Sequence, residues 1–168
     1  MEIHVNFFEK PEFDPQNNKW LLFKYSRLLS LDELNLLGGL GNISNFHNAI
    51  LPEYKGLNCP SWAIENGDST LGVTLHLVDE KIDNGFIIDQ IKFDFQENQD
   101  INDFQAIVRQ LEITWLPRII LSWLRNECHL KNNFGGRVYR KRGDDNFCID
   151  IKIKLGEIDI TDQINQHH

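Results

Sequence analysis

Apolar and polar positions along this chain follow two periods, one of two residues and one near 3.6, and their order lays out the elements. Ile3 to Phe8 is a short β-prone run, and Lys10 to Lys19, polar with two prolines, reads as a loop. Trp20 to Tyr25 (WLLFKY) has the unbroken apolar character of a buried parallel strand. Ser30, with Glu33 three positions on, forms a capping box for a short helix that stops before Gly38-Gly39. A strand carrying Asn45 and His47 follows, then a loop from Pro52 to Cys59, and a short helix that Pro60 starts and Gly67 stops. Leu71 to Val78 is the next strand, and Phe86 to Phe95 pairs with it as an antiparallel edge.

Phe104, Ile107, Val108, Leu111, Trp115, Ile119 and Trp123 recur at helical spacing, so the longest helix begins at a cap on Asp100 or Asn102 and presents that stripe to the core. Pro117 lies inside the stripe and breaks or kinks it, because its ring excludes a backbone hydrogen bond. Gly135-Gly136 makes a turn before Val138-Tyr139. Phe147, Ile149, Ile151, Ile153 and Leu155 alternate with polar residues as a strand with one wet face. The tail, with its terminal histidines, reads as frayed.

These elements suit one α/β domain over residues 1–168, with 1–19 an atypical N-terminus, 20–126 the core that carries the site and 127–168 a turn and strand extension. The expected sheet is mixed but mostly parallel and flanked by helices, with the site at the carboxyl ends of its strands. A net charge of −8 argues against a nucleic-acid surface. The cysteines, Cys59, Cys128 and Cys148, are odd in number and widely spaced, which suggests neither a disulfide framework nor a metal site and fits the cytoplasm. No apolar run approaches the roughly 20 residues of a membrane span.

The chemistry concentrates between Asn45 and Gly85. If Asn45-Phe46-His47 is extended, the amide and the imidazole share one face while Phe46 points into the interior. Asp83 follows an apolar strand and precedes the turn dipeptide Asn84-Gly85, which delivers a carboxylate from a loop at a strand end. His76 on its apolar strand and Asp79 in the loop read as supports. An amide donor, an imidazole and a carboxylate are the groups that steady a developing oxyanion, move a proton and orient the base.

Asn45-Phe46-His47, Leu51-Pro52-Glu53-Tyr54-Lys55-Gly56, Gly72-Val73-Thr74-Leu75-His76 and Asp79 to Gly85 occur in that order, and together they resemble the formyltransferase family that uses 10-formyltetrahydrofolate. The resemblance covers roughly residues 20–150 and implies a Rossmann-like domain, the catalytic set Asn45, His47 and Asp83, and contacts to the folate from Arg27, Leu28, Leu29, Val78, Asp79 and Asn84. It also implies a small-molecule amine as acceptor. The Ser-Trp-Ala-Ile-Glu-Asn-Gly segment with Gly-Val-Thr-Leu-His looks more like enzymes that formylate nucleotide-linked amino sugars than like those acting on glycinamide ribonucleotide or methionyl-tRNA.

Two departures stand out. The family's His-Pro-Ser becomes His47-Asn48-Ala49, and the part preceding Trp20 is about 70 residues shorter than the family's Rossmann-like half, without its glycine loop. The N-terminal half is therefore expected to be abbreviated, with an exposed sheet edge open to a second copy or a partner chain. The alternative to an enzyme is a non-catalytic folate- or partner-binding relative.

Overall fold

The computed structural model describes residues 18–25 and 28–139. The expected strands at Ile3 to Phe8 and Phe147 to Leu155, the terminal histidines and Arg27 lie outside these residues. Among the described residues the chain runs β1 (Trp20–Phe23), α1 (Leu31–Leu36), β2 (Ile43–His47), β3 (Tyr54–Gly56), α2 (Cys59–Glu65), β4 (Thr70–Leu77), β5 (Ile87–Asp94), α3 (Ile101–Thr114), α4 (Leu116–Leu124) and β6 (Arg137–Tyr139). No helix among them is long and apolar enough to cross a membrane.

Local sequence explains the helix ends. The Ser30 hydroxyl accepts from Glu33 N at 3.3 Å while the Glu33 carboxylate accepts from Ser30 N at 2.7 Å, so two orphan amides of the first turn are satisfied reciprocally. Asp100 does the same for α3, taking Asn102 N and Asp103 N, with Asp103 returning the bond to Asp100 N. Pro117 falls in the first turn of α4, and the helical stripe breaks at Trp115 into two helices, as the missing N–H requires.

Four strands form the central sheet in the order β1-β2-β4-β5, with helices over both faces. β1 runs parallel to β2, whereas β4 is antiparallel to both β2 and β5. The α/β sheet is there, but the expectation that it is mostly parallel is not met. The physical reason is that β4 is buried at every position after Thr70, so a central antiparallel strand shows the same unbroken apolar run as a parallel one. A second correction concerns Pro52 to Cys59: within it Tyr54–Gly56 is a strand, paired in parallel with β6.

Ile43 and Phe46 point to opposite faces of β2 and anchor two cores. On one face Phe46, Val73 and Leu75 meet Ala63 of α2, Phe104 and Val108 of α3, and Leu116 and Trp123 of α4. Phe46 stacks on Phe23 with ring centroids 5.5 Å apart. On the other face Leu22 and Ile43 are covered by Leu29, Leu34 and Leu37. Burying each such aliphatic side chain stabilises the fold by about 1.5–3 kcal/mol. Asn45 and His47 follow Ile43 by alternation on its face of β2, and there they meet the polar groups of the β4 side of the sheet.

Candidate active site

The antiparallel register sets Asn45 directly opposite His76, and His47 opposite Thr74. Cross-strand partners on one face are in contact, and the Asn45 Nδ2 lies 3.2 Å from His76 Nε2. Asp83 arrives from the loop after β4 and spans both imidazoles. Its Oδ2 is 3.5 Å from His47 Nδ1 and its Oδ1 is 3.4 Å from His76 Nε2. Asn45 Nδ2 also donates to Asp83 Oδ1, at 3.4 Å, and Gly56 N donates to Asp83 Oδ2 at 2.8 Å.

The structure thus brings together Asn45, His47 and Asp83, and adds His76 to them. His76, read from the sequence as a support, is set against Asn45 by the direction and register of β4, which the apolar pattern does not carry. His47 Nε2 is 2.7 Å from the Tyr54 carbonyl, and His76 Nδ1 is 2.7 Å from the Leu77 carbonyl. A carbonyl can only accept, so those nitrogens carry N–H, and His47 Nδ1 and His76 Nε2 are the two nitrogens that face Asp83. Among the described residues no group of His, Cys, Asp or Glu is arranged to hold a metal ion.

Burial pulls the pKa of His47 below its usual value, and neighbouring His76 acts in the same direction, while Asp83 and the Tyr54 carbonyl oppose them. Burial alone would raise the Asp83 carboxyl, but the hydrogen bond from His76, the charges of both imidazoles and the Gly56 N–H outweigh it and carry it down to about 2. Asp83 therefore stabilises the fold when ionised. That contribution, about 2 kcal/mol, is present above the unfolded carboxyl's pKa and fades as the pH falls from about 4 through about 2. His47, with its folded pKa lowered, also favours the fold above its unfolded pKa and loses that contribution on acidification. In urea unfolding at a series of pH values, Asp83→Asn is expected to flatten the acid limb by about 2 kcal/mol; parallel curves for the two proteins would contradict this placement.

The cluster forms part of the wall of a groove of about 1390 Å³. Leu28, Ile82 and Val138, 53%, 37% and 50% exposed, give it an apolar lining. Asn48, Asn58, Ser61, Asn102 and Gln105 give it neutral hydrogen-bonding groups. Of the other residues implicated by the sequence, Leu29 is buried in the core beneath α1. Val78 packs against that core and donates its N–H to the Ile43 carbonyl at 2.9 Å. Asp79 accepts from Lys81 N and Asn84 Nδ2, both at 2.9 Å, and Asn84 Oδ1 accepts from Lys55 at 2.9 Å. The side chains of Asp79 and Asn84 thus build the loop that carries Asp83.

A mixed sheet flanked by helices, with an amide, two imidazoles and a carboxylate gathered beside an apolar-lined groove, defines an α/β protein. The family model described as formyl transferase matches residues 16–120, and the chain belongs to that family. It is 35% identical over 106 residues to the phosphoribosylglycinamide formyltransferase of Haemophilus influenzae, covering 61% of this chain and 50% of that protein. It is 30% identical over 141 residues to the methionyl-tRNA formyltransferase of Borrelia garinii subsp. bavariensis, covering 84% of this chain and 42% of the relative. Among solved structures, WlaRD, a sugar 3N-formyl transferase crystallised with dTDP and 5-N-formyl-THF, superposes with a TM-score of 0.66 at 22% identity, over 73% of this chain and 44% of that one. The chain spans about half the length of the curated relatives it matches.

Proposed function

We propose that the chain transfers a formyl group from 10-formyltetrahydrofolate to a primary amine, with an amino sugar carried on a nucleotide as the preferred acceptor. The observation that carries this reading is the meeting of Asn45, His47 and Asp83 at the wall of one groove. The groove's exposed apolar residues, Leu28, Ile82 and Val138, fit a flat heteroaromatic ring, and backbone groups of Asp79 to Asn84 would hold its polar edge. The donor, when bound, would supply an activated one-carbon group at the formate oxidation level.

The remaining chemistry falls to this chain's side chains. Asn45 Nδ2 presents an N–H where negative charge develops on the formyl oxygen, and its 3.4 Å contact with Asp83 is long enough to yield to that oxygen. As the amine nitrogen bonds to the formyl carbon, His47 takes up at Nδ1 the proton that the amine must lose, with Asp83 Oδ2 beside it to hold the imidazolium, and returns a proton to the folate nitrogen as its bond to the formyl carbon breaks. Asp83 sets the direction of the ring and keeps the charge balanced. Tyr54, through its carbonyl, prevents the ring from flipping.

The acceptor preference rests on the neutral polar lining of Asn48, Asn58, Ser61, Asn102 and Gln105, suited to hydroxyl groups, and on a net charge of −8 that disfavours tRNA. Glycinamide ribonucleotide is the second reading, favoured by the 35% identity to the Haemophilus influenzae enzyme. The purified chain should release tetrahydrofolate from 10-formyltetrahydrofolate in the presence of a nucleotide amino sugar, faster than with glycinamide ribonucleotide or methionyl-tRNA. Release with glycinamide ribonucleotide alone would reassign the acceptor, and no release with any of the amines would sink the proposed transfer.

A further inference from the structure

Three consecutive residues of β3 address three parts of the site. Tyr54 gives its carbonyl to His47, Gly56 gives its N–H to Asp83, and between them Lys55 sends its side chain inward. A lysine is rarely buried unless paired, yet Lys55 is 3% exposed. Its ammonium donates to Asn84 Oδ1 at 2.9 Å and to the Asn133 carbonyl at 3.0 Å. Asn133, itself 1% exposed, donates through Nδ2 to the carbonyls of Asp83 and Gly85, both at 2.9 Å. The loop is thereby held on both sides of Asp83.

Asp83 needs such a hold because its backbone sits at φ 43°, in the left-handed region that a residue with a Cβ enters only under strain. Without external bonds the chain would relax from that conformation and turn the carboxylate away from the imidazoles. We propose that Lys55, with Asn133 as its relay, is a positioning residue that fixes the Asp83 loop so that one carboxylate spans His47 and His76. This rests on the formyl-transfer reading for its purpose, though not for its test. The groups involved face one another closely: Asp83 and His76 act on His47, and Asp79, Asp83 and Lys81 act on Lys55.

The test follows the titration of the His47 ring by NMR in four proteins: the unaltered chain, Asp83→Asn, Lys55→Met and the double variant. Asp83→Asn should lower the pKa of His47 in the unaltered background, because the carboxylate raises it. In the Lys55→Met background the same change should move it by less than half as much, the carboxylate already having drifted. An equal shift in both backgrounds overturns the proposal. Should Lys55→Met fail to fold, Asn84→Ala, which keeps the charge and removes the loop-side acceptor of Lys55 together with the donor to Asp79, carries the same comparison, and an undiminished shift again overturns it. In turnover assays Lys55→Met should lose roughly 10–100-fold in kcat with KM for the donor little changed. Absence of turnover in the unaltered chain would count against the transfer reading and leave the titration to decide the role of Lys55.

Discussion

Replacing His47 with alanine is expected to lower single-turnover formyl transfer by roughly 10²–10⁴-fold, and Asp83→Asn by a similar factor. The alanine deletes the nitrogen on which the mobile proton rides. The asparagine is nearly isosteric with the residue it replaces, yet it cannot bond as that residue does. Asp83 accepts from Gly56 N through one oxygen and from Asn45 Nδ2 through the other, and an asparagine can accept through only one. Its NH₂ must then oppose either a backbone N–H or the Asn45 amide, so the side chain that should steady the oxyanion is pushed out of place along with the lost charge. Because the two residues act as a unit, the double variant should fall no further than the worse single one. Rates within twofold of the unaltered chain would remove His47 and Asp83 from the chemistry.

Gly56→Ala is expected to damage both stability and rate. Gly56 sits at φ +97°, and a Cβ there would lie 2.2 Å from the Tyr139 carbonyl oxygen and 3.1 Å from its nitrogen. β6 would have to withdraw, breaking the Leu57 N to Tyr139 carbonyl bond of 3.1 Å and the stacking of Tyr54 on Tyr139, whose centroids are 5.0 Å apart. Asp83 would lose the alignment of its 2.8 Å donor. Gly39 provides the comparison: its φ is +79°, but a Cβ would meet nothing within 4 Å. Gly39→Ala should cost only the backbone term, about 1 kcal/mol, and leave turnover alone. Gly56→Ala should cost about 3 kcal/mol or more, read by urea unfolding, with transfer reduced in proportion to the displaced carboxylate. Equal losses for the two glycines would mean that the β3–β6 contact does not matter.

The signals that could be read in the sequence were local ones. Ser30 and Glu33 lie three residues apart and cap α1 by themselves, and Pro117, lacking an N–H, ends one helix and fits the first turn of the next. Asn45 and His47 share a face by alternation alone, whatever lies beside β2. What escaped is non-local. β3 exists because Arg137–Tyr139, far along the chain, pairs with it, and a three-residue strand has no periodicity to detect. His76 joins the site through a strand direction that a doubly buried run does not encode. Lys55 sits in a sequence context that gives no hint of burial; only the carbonyl of Asn133 and the side chain of Asn84 explain it.

The long reach from β3 to β6 also has a temporal side. The four described strands of the central sheet, with Asn45, His47, His76 and Asp83 all on or beside them, lie within residues 20–94. The residues that seal Lys55 and flank Gly56 are 133 and 137–139. During synthesis, at roughly 5–20 residues per second, the residues that carry these groups are made seconds before those of the clamp that aligns them. Pairing strands so far apart in sequence is a slow kind of contact to make, so the alignment of Asp83 by β3 and β6 is expected to follow the pairing of β2 with β4.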